Sequence, residues 1–200
     1  MNTAKNMAPA SPRVRATSRF VRNRPRALEL FALRGFAQVS LRELASHLNL
    51  SAGSLYNHCS CKEELLMEFI EEHYMALLSL FERRYRRESP MATLQAVIQG
   101  LIALHERHPL HFQLTIRDSV CLKPDQRQHL DRLRQQLRQQ LDALLRDAGY
   151  RVEQQASMPI LELFEHLPSW LSAYPMDEEQ RCAVLLRLLT VALPISKAES

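Results

Sequence analysis

The chain has 200 residues, 46% of them hydrophobic and 24% charged, with 4 glycines and a formal net charge of +4. That length suits one compact unit or a small and a medium domain. The scarcity of glycine and the absence of lasting strand-like alternation argue for an all-α fold. The charge is segregated: residues 1–62 hold 10 Lys and Arg against Glu29 and Glu43, a net of +8, whereas residues 63–200 hold 16 against 20, a net of −4. A basic N-terminal third on an acidic body is expected of a nucleic-acid reader with a separate regulatory domain, and an ordinary solvated basic face does not explain the segregation. No apolar run reaches 18 residues, so no membrane span is expected. The N-terminus lacks the apolar region of a secretory signal. Four cysteines without the spacing of a disulfide framework fit a reducing cytoplasm. There is no Gly-rich phosphate loop, nucleophile elbow or HExxH, so neither enzymatic activity nor a cofactor is expected.

Residues 1–17, rich in Ala, Pro, Ser, Asn and Arg, read as a disordered basic arm. Arg13, Arg15 and Arg19, continued by Arg22, Arg24 and Arg26, suit phosphates or a minor groove, with a merely solvated tail as the alternative. The first helix presents Ala27, Leu28, Leu30, Phe31 and Leu33, and Gly35 ends it. Pro25 places its start near Asn23, or kinks a longer helix. Ser40 with Glu43 forms a capping box. Leu41, Leu44, Ala45 and Leu48 then give two turns with one apolar face. Asn49 suits the left-handed residue at the helix end. Leu50 plugs the space before Ser51, which caps a third helix of small first-turn residues, Ala52, Gly53 and Ser54. Tyr56, Asn57 and His58 follow, able to bond phosphates or base edges. Two short helices, a tight turn and the start of a third helix within Ser40 to Leu66 have the size of a helix-turn-helix unit.

Ser60 and Glu63 predict a second capping box opening a long helix to about Arg87, some 26 residues and close to 40 Å. Further helices are expected over Met91–Arg107, from Pro109 to Arg117 or Asp118, over Asp125–Ala148 closed by Gly149, over Glu153–Ala173 with interruptions at Pro159 and Pro168, and over Asp177–Leu193.

The runs ALELFALRGF (27–36), SLRELASHLNLSAGSLYNH (40–58) and KEELL (62–66) resemble the DNA-binding domain of the TetR family of bacterial transcription regulators across about 40 contiguous residues. Four positions depart from the family pattern: Val39 for threonine, Asn49 for glycine, Ala52 for a basic residue, and Cys59 for phenylalanine. The resemblance implies a helix-turn-helix domain over 18–66, a ligand-binding and dimerisation domain over 67–200, and about nine helices in all. It implies a ligand-responsive, sequence-specific regulator, more often a repressor, that binds an inverted repeat of double-stranded DNA as a homodimer. The alternative is a helical small-molecule-binding or scaffold protein with weakened DNA binding, for which Ala52 and Cys59 are the hints.

The expected DNA-facing set is Ser40, Leu41, Arg42, Ser51, Ala52, Gly53, Ser54, Tyr56, Asn57, His58 and Lys62. Phosphate anchoring falls to Ser40, Tyr56, His58 and Lys62. Base readout rests on backbone approach, Ser54, Asn57 and the arm. The resemblance also implies a ligand cavity, with Met75, Leu78, Phe81, Leu101, Leu104, Phe112, Ile116, Leu137 and Phe164 as lining and Arg117, His105, His108 and His166 as polar anchors. That composition favours a small lipophilic ligand with an anionic end at Arg117, whereas plain core is the competing reading. Leu163, Leu167, Trp170, Leu171, Val184, Leu185, Leu188 and Leu189 make the last two helices apolar enough to suggest a four-helix dimer interface. His105, His108 and His111 have metal-like spacing, but Pro109 breaks the helix between them, so no metal is expected. Cys59 and Cys61 read as a buried thiol and a helix-start residue, with a redox role as the lesser alternative.

Overall fold

Helix boundaries largely follow the caps written into the sequence. A computed structural model describes residues 19–82, 86–191 and 193, and all regular structure among them is helical. The arm over residues 1–17, with Arg13 and Arg15, lies outside the described residues, as do Arg83, Arg84, the side chain of Arg19 and the tail from Pro194.

The described residues form nine α-helices: α1 Arg19–Arg34, α2 Leu41–His47, α3 Ala52–Tyr56, α4 Lys62–Ser79, α5 Pro90–Arg107, α6 Pro109–Asp118, α7 Pro124–Asp147, α8 Gln154–Leu171 and α9 Glu178–Thr190. Single 3-10 turns lie at Phe36–Gln38 and Ser119–Cys121. Gly35 and Gly149 end α1 and α7 with φ of 86° and 91°, and Asn49 turns the chain between α2 and α3 at φ 53°. An asparagine tolerates that left-handed geometry better than other residues with a Cβ.

Three boundaries differ from expectation. Helix α1 begins at Arg19 rather than Asn23 and runs through Pro25. Pro25 supplies no amide donor to the preceding turn, but buried Phe20 anchors that turn to the core. Helix α4 has 18 residues, about 27 Å, and stops at Ser79. There Leu80, Phe81 and Glu82 donate to Leu77, Leu78 and Ser79, three residues back, which tightens and then ends the helix. Its N-cap is Cys61, and the Ser60 amide is taken by the Glu64 carboxylate at 2.8 Å, so the expected Ser60–Glu63 capping box does not form. Helix α8 continues through both Pro159 and Pro168, each of which removes only one internal bond while Ile160, Leu161, Phe164, Leu167 and Leu171 bury its inner face.

Helices α1 to α3 form a head, and α4 leads from it into a body. There α4 packs on α6 and α7, α5 on α7 and α9, and α8 on α6, α7 and α9, while α1 docks on α6. One continuous apolar core runs from Phe20 through Leu65, Leu66 and Phe69 to Leu193. No helix among the described residues is long and apolar enough to cross a membrane.

Candidate nucleic-acid interface

The geometry of α2 and α3 follows from which residues turn inward. Leu44, Ala45, Leu48 and Leu55 are buried, and the opposite face is left to polar side chains. Ser40 accepts from the Glu43 amide at 3.2 Å while its own amide donates to the Glu43 carboxylate at 2.9 Å, which completes the capping box. These bonds hold the Glu43 carboxyl below its usual range. The Ser51 hydroxyl accepts from the Ser54 amide at 3.1 Å and sets the start of α3. On this scaffold Ser40, Arg42, Ser51, Ala52, Gly53, Tyr56, Asn57 and His58 are exposed, while Leu41, Ser54 and Lys62 are half-buried. A Cβ added at Gly53 would meet no heavy atom within 4 Å. The face therefore presents hydroxyl, amide, phenol and imidazole groups around an open backbone, a chemistry suited to phosphate oxygens and base edges.

Two basic groups expected to face DNA, Lys62 and Arg24, are already engaged, as is Arg34 beside them. The Lys62 ammonium donates to the carbonyls of Phe36 at 3.0 Å, Ala37 at 3.4 Å and Val39 at 2.9 Å, and lies 4.4 Å from the centre of the Phe36 ring. It closes the turn between α1 and α2, using all three of its donors. Arg24 pairs with Glu68 at 3.0 Å and with Glu72, and sits 4.5 Å over the Phe69 ring. Arg34 pairs with Glu43 at 3.4 Å. Arg22 and Arg42 stay exposed. Sequence reasoning missed two supports of the head. Phe20 stacks on His58 with ring centres 4.6 Å apart, and Asn23 donates to the Leu48 carbonyl at 2.9 Å. An aromatic residue inside a basic run was the available signal for Phe20.

Arg117, the expected anchor for a ligand's anionic end, points elsewhere. Its guanidinium donates to the Phe31 carbonyl at 2.6 Å and the Ala32 carbonyl at 2.8 Å and pairs with buried Asp118 at 2.7 Å. Gln113 donates to the same Ala32 carbonyl at 3.2 Å. Helix α6 thereby satisfies the Ala32 carbonyl at the end of α1 and adds a second donor to that of Phe31, which also accepts from the Gly35 amide at 2.9 Å. The other expected lining residues are also dispersed. Leu101, Phe112, Leu137 and Phe164 are wholly buried core, and Leu104 and His105 are buried. Met75 is 55% exposed, and Leu78 and Phe81 are half-buried. Ile116 and His166 line one cavity of about 180 Å³. Leu104 and His108 line another of about 220 Å³. Phe81 lines a third of about 240 Å³. A larger apolar space, about 510 Å³, lies at the junction of head and body, walled by Val21, Pro25, Leu28, Phe69, Pro109 and Leu110 with Arg24, Glu72, Arg107, His108 and His111 at its polar edge.

The three spaced histidines do not converge. The His105 ring is buried 4.9 Å from Phe112, whereas exposed His108 lies 5.6 Å from His111, ring centre to ring centre. Cys59 is buried, and burial together with Glu64 and Glu68 pushes its thiol up to about 11. Cys61 accepts from the Lys123 ammonium at 3.1 Å. The expected dimer residues divide by face: Leu167, Leu171, Leu185 and Leu189 are buried within the chain, while Leu163 and Trp170 are exposed and Val184 and Leu188 half-buried. Tyr174 and Val191 extend the outward apolar strip.

Residues 26–69 match the tetR family of bacterial regulatory proteins. No curated protein matches the chain in sequence. Among solved structures, the TetR-family transcriptional regulator PfmR from Thermus thermophilus is 22% identical, with a TM-score of 0.72 over 88% of this chain and 97% of that one. AibR, solved with isovaleryl coenzyme A and operator DNA, is 18% identical, with a TM-score of 0.64 over 86% of this chain and 97% of that one. The superantigen PfiT is 19% identical, with a TM-score of 0.67 over 92% of this chain and 98% of that one, so the fold alone does not fix an activity. Residues 26–69 thus carry the regulatory-protein domain of the tetR family as a helix-turn-helix head, and the chain as a whole has the fold of TetR-family regulators.

Proposed function

We propose that this chain is a ligand-responsive, sequence-specific DNA-binding transcription regulator, acting as a homodimer on an inverted repeat and repressing by occupancy. The observation that carries the reading is the outward face of α3 and its flanks. Ser51, Ala52, Gly53, Tyr56 and Asn57 are exposed on a helix whose position is fixed by a cap and by a buried leucine. In the bound state α3 lies in the major groove, with Gly53 allowing close approach, Asn57 and Ser54 reading base edges, and Ser40, Tyr56 and His58 contacting phosphates. Lys62 contributes by holding the α1–α2 turn that presents Ser40. Pairing through Leu163, Trp170, Val184 and Leu188 covers an apolar strip that a lone chain leaves open and sets two heads roughly 34–36 Å apart for one duplex turn.

The two hydrogen bonds from Arg117 to the end of α1 support a regulatory coupling, since a shift of α6 must move the head or break those bonds. The apolar space between head and body supports the expected small lipophilic ligand, and AibR, which shares the fold, was solved with an acyl thioester, isovaleryl coenzyme A, whose acyl end is apolar. A scaffold or ligand-binding role without DNA binding is the second reading, favoured by Ala52 in place of a long basic side chain and by the engagement of Lys62. A gel shift with the DNA upstream of the chain's own coding region separates the two. A sequence-dependent complex that weakens steeply with salt is expected, and no shift above that of unrelated DNA refutes the regulator reading.

A further inference from the structure

Among the described residues, one group of three metal-ligating side chains converges: Glu162, Glu165 and His166. Their spacing of three and four residues sets them on one face of α8. A ligand atom from each lies within 4.8 Å of the other two. They front the cavity of about 180 Å³ between α4, α6, α7 and α8, with Tyr74, Thr115 and Arg134 on the facing walls. Glu165 is buried to 5% exposure, and the Tyr74 hydroxyl donates to it at 2.8 Å. Thr115, buried to 6% exposure, has a hydroxyl oxygen with no hydrogen-bond partner. A buried hydroxyl without a partner on the wall of a polar cavity points to a group that the chain itself does not supply.

The charges point the same way. Arg134 bridges Glu162 and Glu165, at 2.8 Å from the latter, and His166 lies 3.6 Å from Glu162, so the two carboxylates share one guanidinium and one imidazole. Arg134 is only partly buried, and its long side chain can release the pair and turn to solvent.

We propose that Glu162, Glu165 and His166 bind a divalent first-row metal ion of the zinc type, which takes the place of the Arg134 guanidinium. Two carboxylate oxygens and one imidazole nitrogen make a three-ligand set that leaves one position for water. The ion's two charges balance the two carboxylates. Tyr74 holds the buried ligand carboxylate, as hydrogen-bond partners of metal ligands commonly do, and the Thr115 hydroxyl bonds the metal-held water. The site stands apart from the DNA-binding reading and does not depend on it.

The test is isothermal titration of the full chain, without a histidine tag and stripped by chelator, with zinc chloride. Saturable binding of one ion per chain is expected. H166A and E162Q, at half-exposed positions that tolerate change, should each weaken it by at least about tenfold. R134Q should tighten it by roughly tenfold, because a competing charge-assisted bond is removed. H129A, whose imidazole pairs with Glu71 elsewhere on α4 and α7, should bind like the parent. Absence of one-per-chain binding, or H166A and H129A behaving alike, overturns the proposal. Unchanged or weaker binding in R134Q overturns displacement of the guanidinium.

Discussion

Replacing Lys62 with alanine tests whether this lysine is a fastener of the head or a phosphate anchor. The ammonium serves three carbonyls, and two of them, on Phe36 and Val39, belong to buried residues. A hydrogen bond from a charged donor contributes about 1.5–3 kcal/mol, and a cation over an aromatic face adds about 0.5–1 kcal/mol. Because Lys62 is half-buried and its carbonyls regain some water when it is removed, the set as a whole is expected to contribute about 2–3 kcal/mol. The sole tryptophan, Trp170, sits in α8 and reports on the body, so its fluorescence is the wrong probe. Amide hydrogen exchange across α1 to α3 reports the head directly. K62A should speed exchange there by roughly 30- to 150-fold, with little change in α8 and α9. DNA affinity should fall for all sequences alike, in proportion to the loss of folded head. Unchanged exchange in the head, with DNA affinity lost and the salt slope reduced by about one, would refute the fastening role and restore the phosphate contact.

Gly53→Ala meets no neighbour in the free protein and should stabilise the exposed α3 turn by about 0.5–1 kcal/mol in denaturant unfolding, while lowering affinity for the preferred DNA sequence. Equal or better binding by G53A would show that the backbone does not approach the duplex there. Trp170→Asp places a charge on the outward apolar strip, and light scattering after size exclusion should show a monomer, whereas an intact dimer would assign that strip another role. His73 is buried against Phe112 at 4.5 Å between ring centres, and burial, followed by the nearby His111, lowers its pKa to about 3. A depressed folded-state value favours the neutral ring, so stability is full above about pH 6.5 and falls as pH drops towards 3. His73→Gln should flatten the acid limb of a urea-unfolding series between those values, and a limb as steep as the parent's would assign the acid loss to other groups.

Local chemistry made the head legible. Ser40 with Glu43, Ser51, Gly35 and Asn49 each act on neighbours a few residues away, so the sequence states both the residue and its partner. What could not be read is commitment over distance. Nothing near Lys62 in the chain reveals that the Phe36–Val39 turn lies under its ammonium, and nothing near Arg117 shows that the end of α1 is within reach. The same limit applies to the body. The apolar stripe of α7 is plain, but which of its neighbours leave space depends on how helices cross. Pro25, Pro159 and Pro168 mark a local cost correctly, and burial of the surrounding faces outweighs it. The outward and inward halves of α8 and α9 were merged into one interface because both are apolar and only packing separates them.

The acceptors that Arg117 holds are main-chain oxygens, and this has a practical side for exchanging heads between relatives. A guanidinium that grips carbonyls recognises where a helix ends and not which side chains it carries. Heads with other recognition sequences should therefore dock on this body, provided their first helix stops at the same register. Fusing at residue 66 would still cut through the shared core, since Phe69 on α4 packs edge-on against Phe31 with ring centres 6.5 Å apart. A junction beyond Phe69 keeps that pair together and leaves the grip of Arg117 to align the transplanted head.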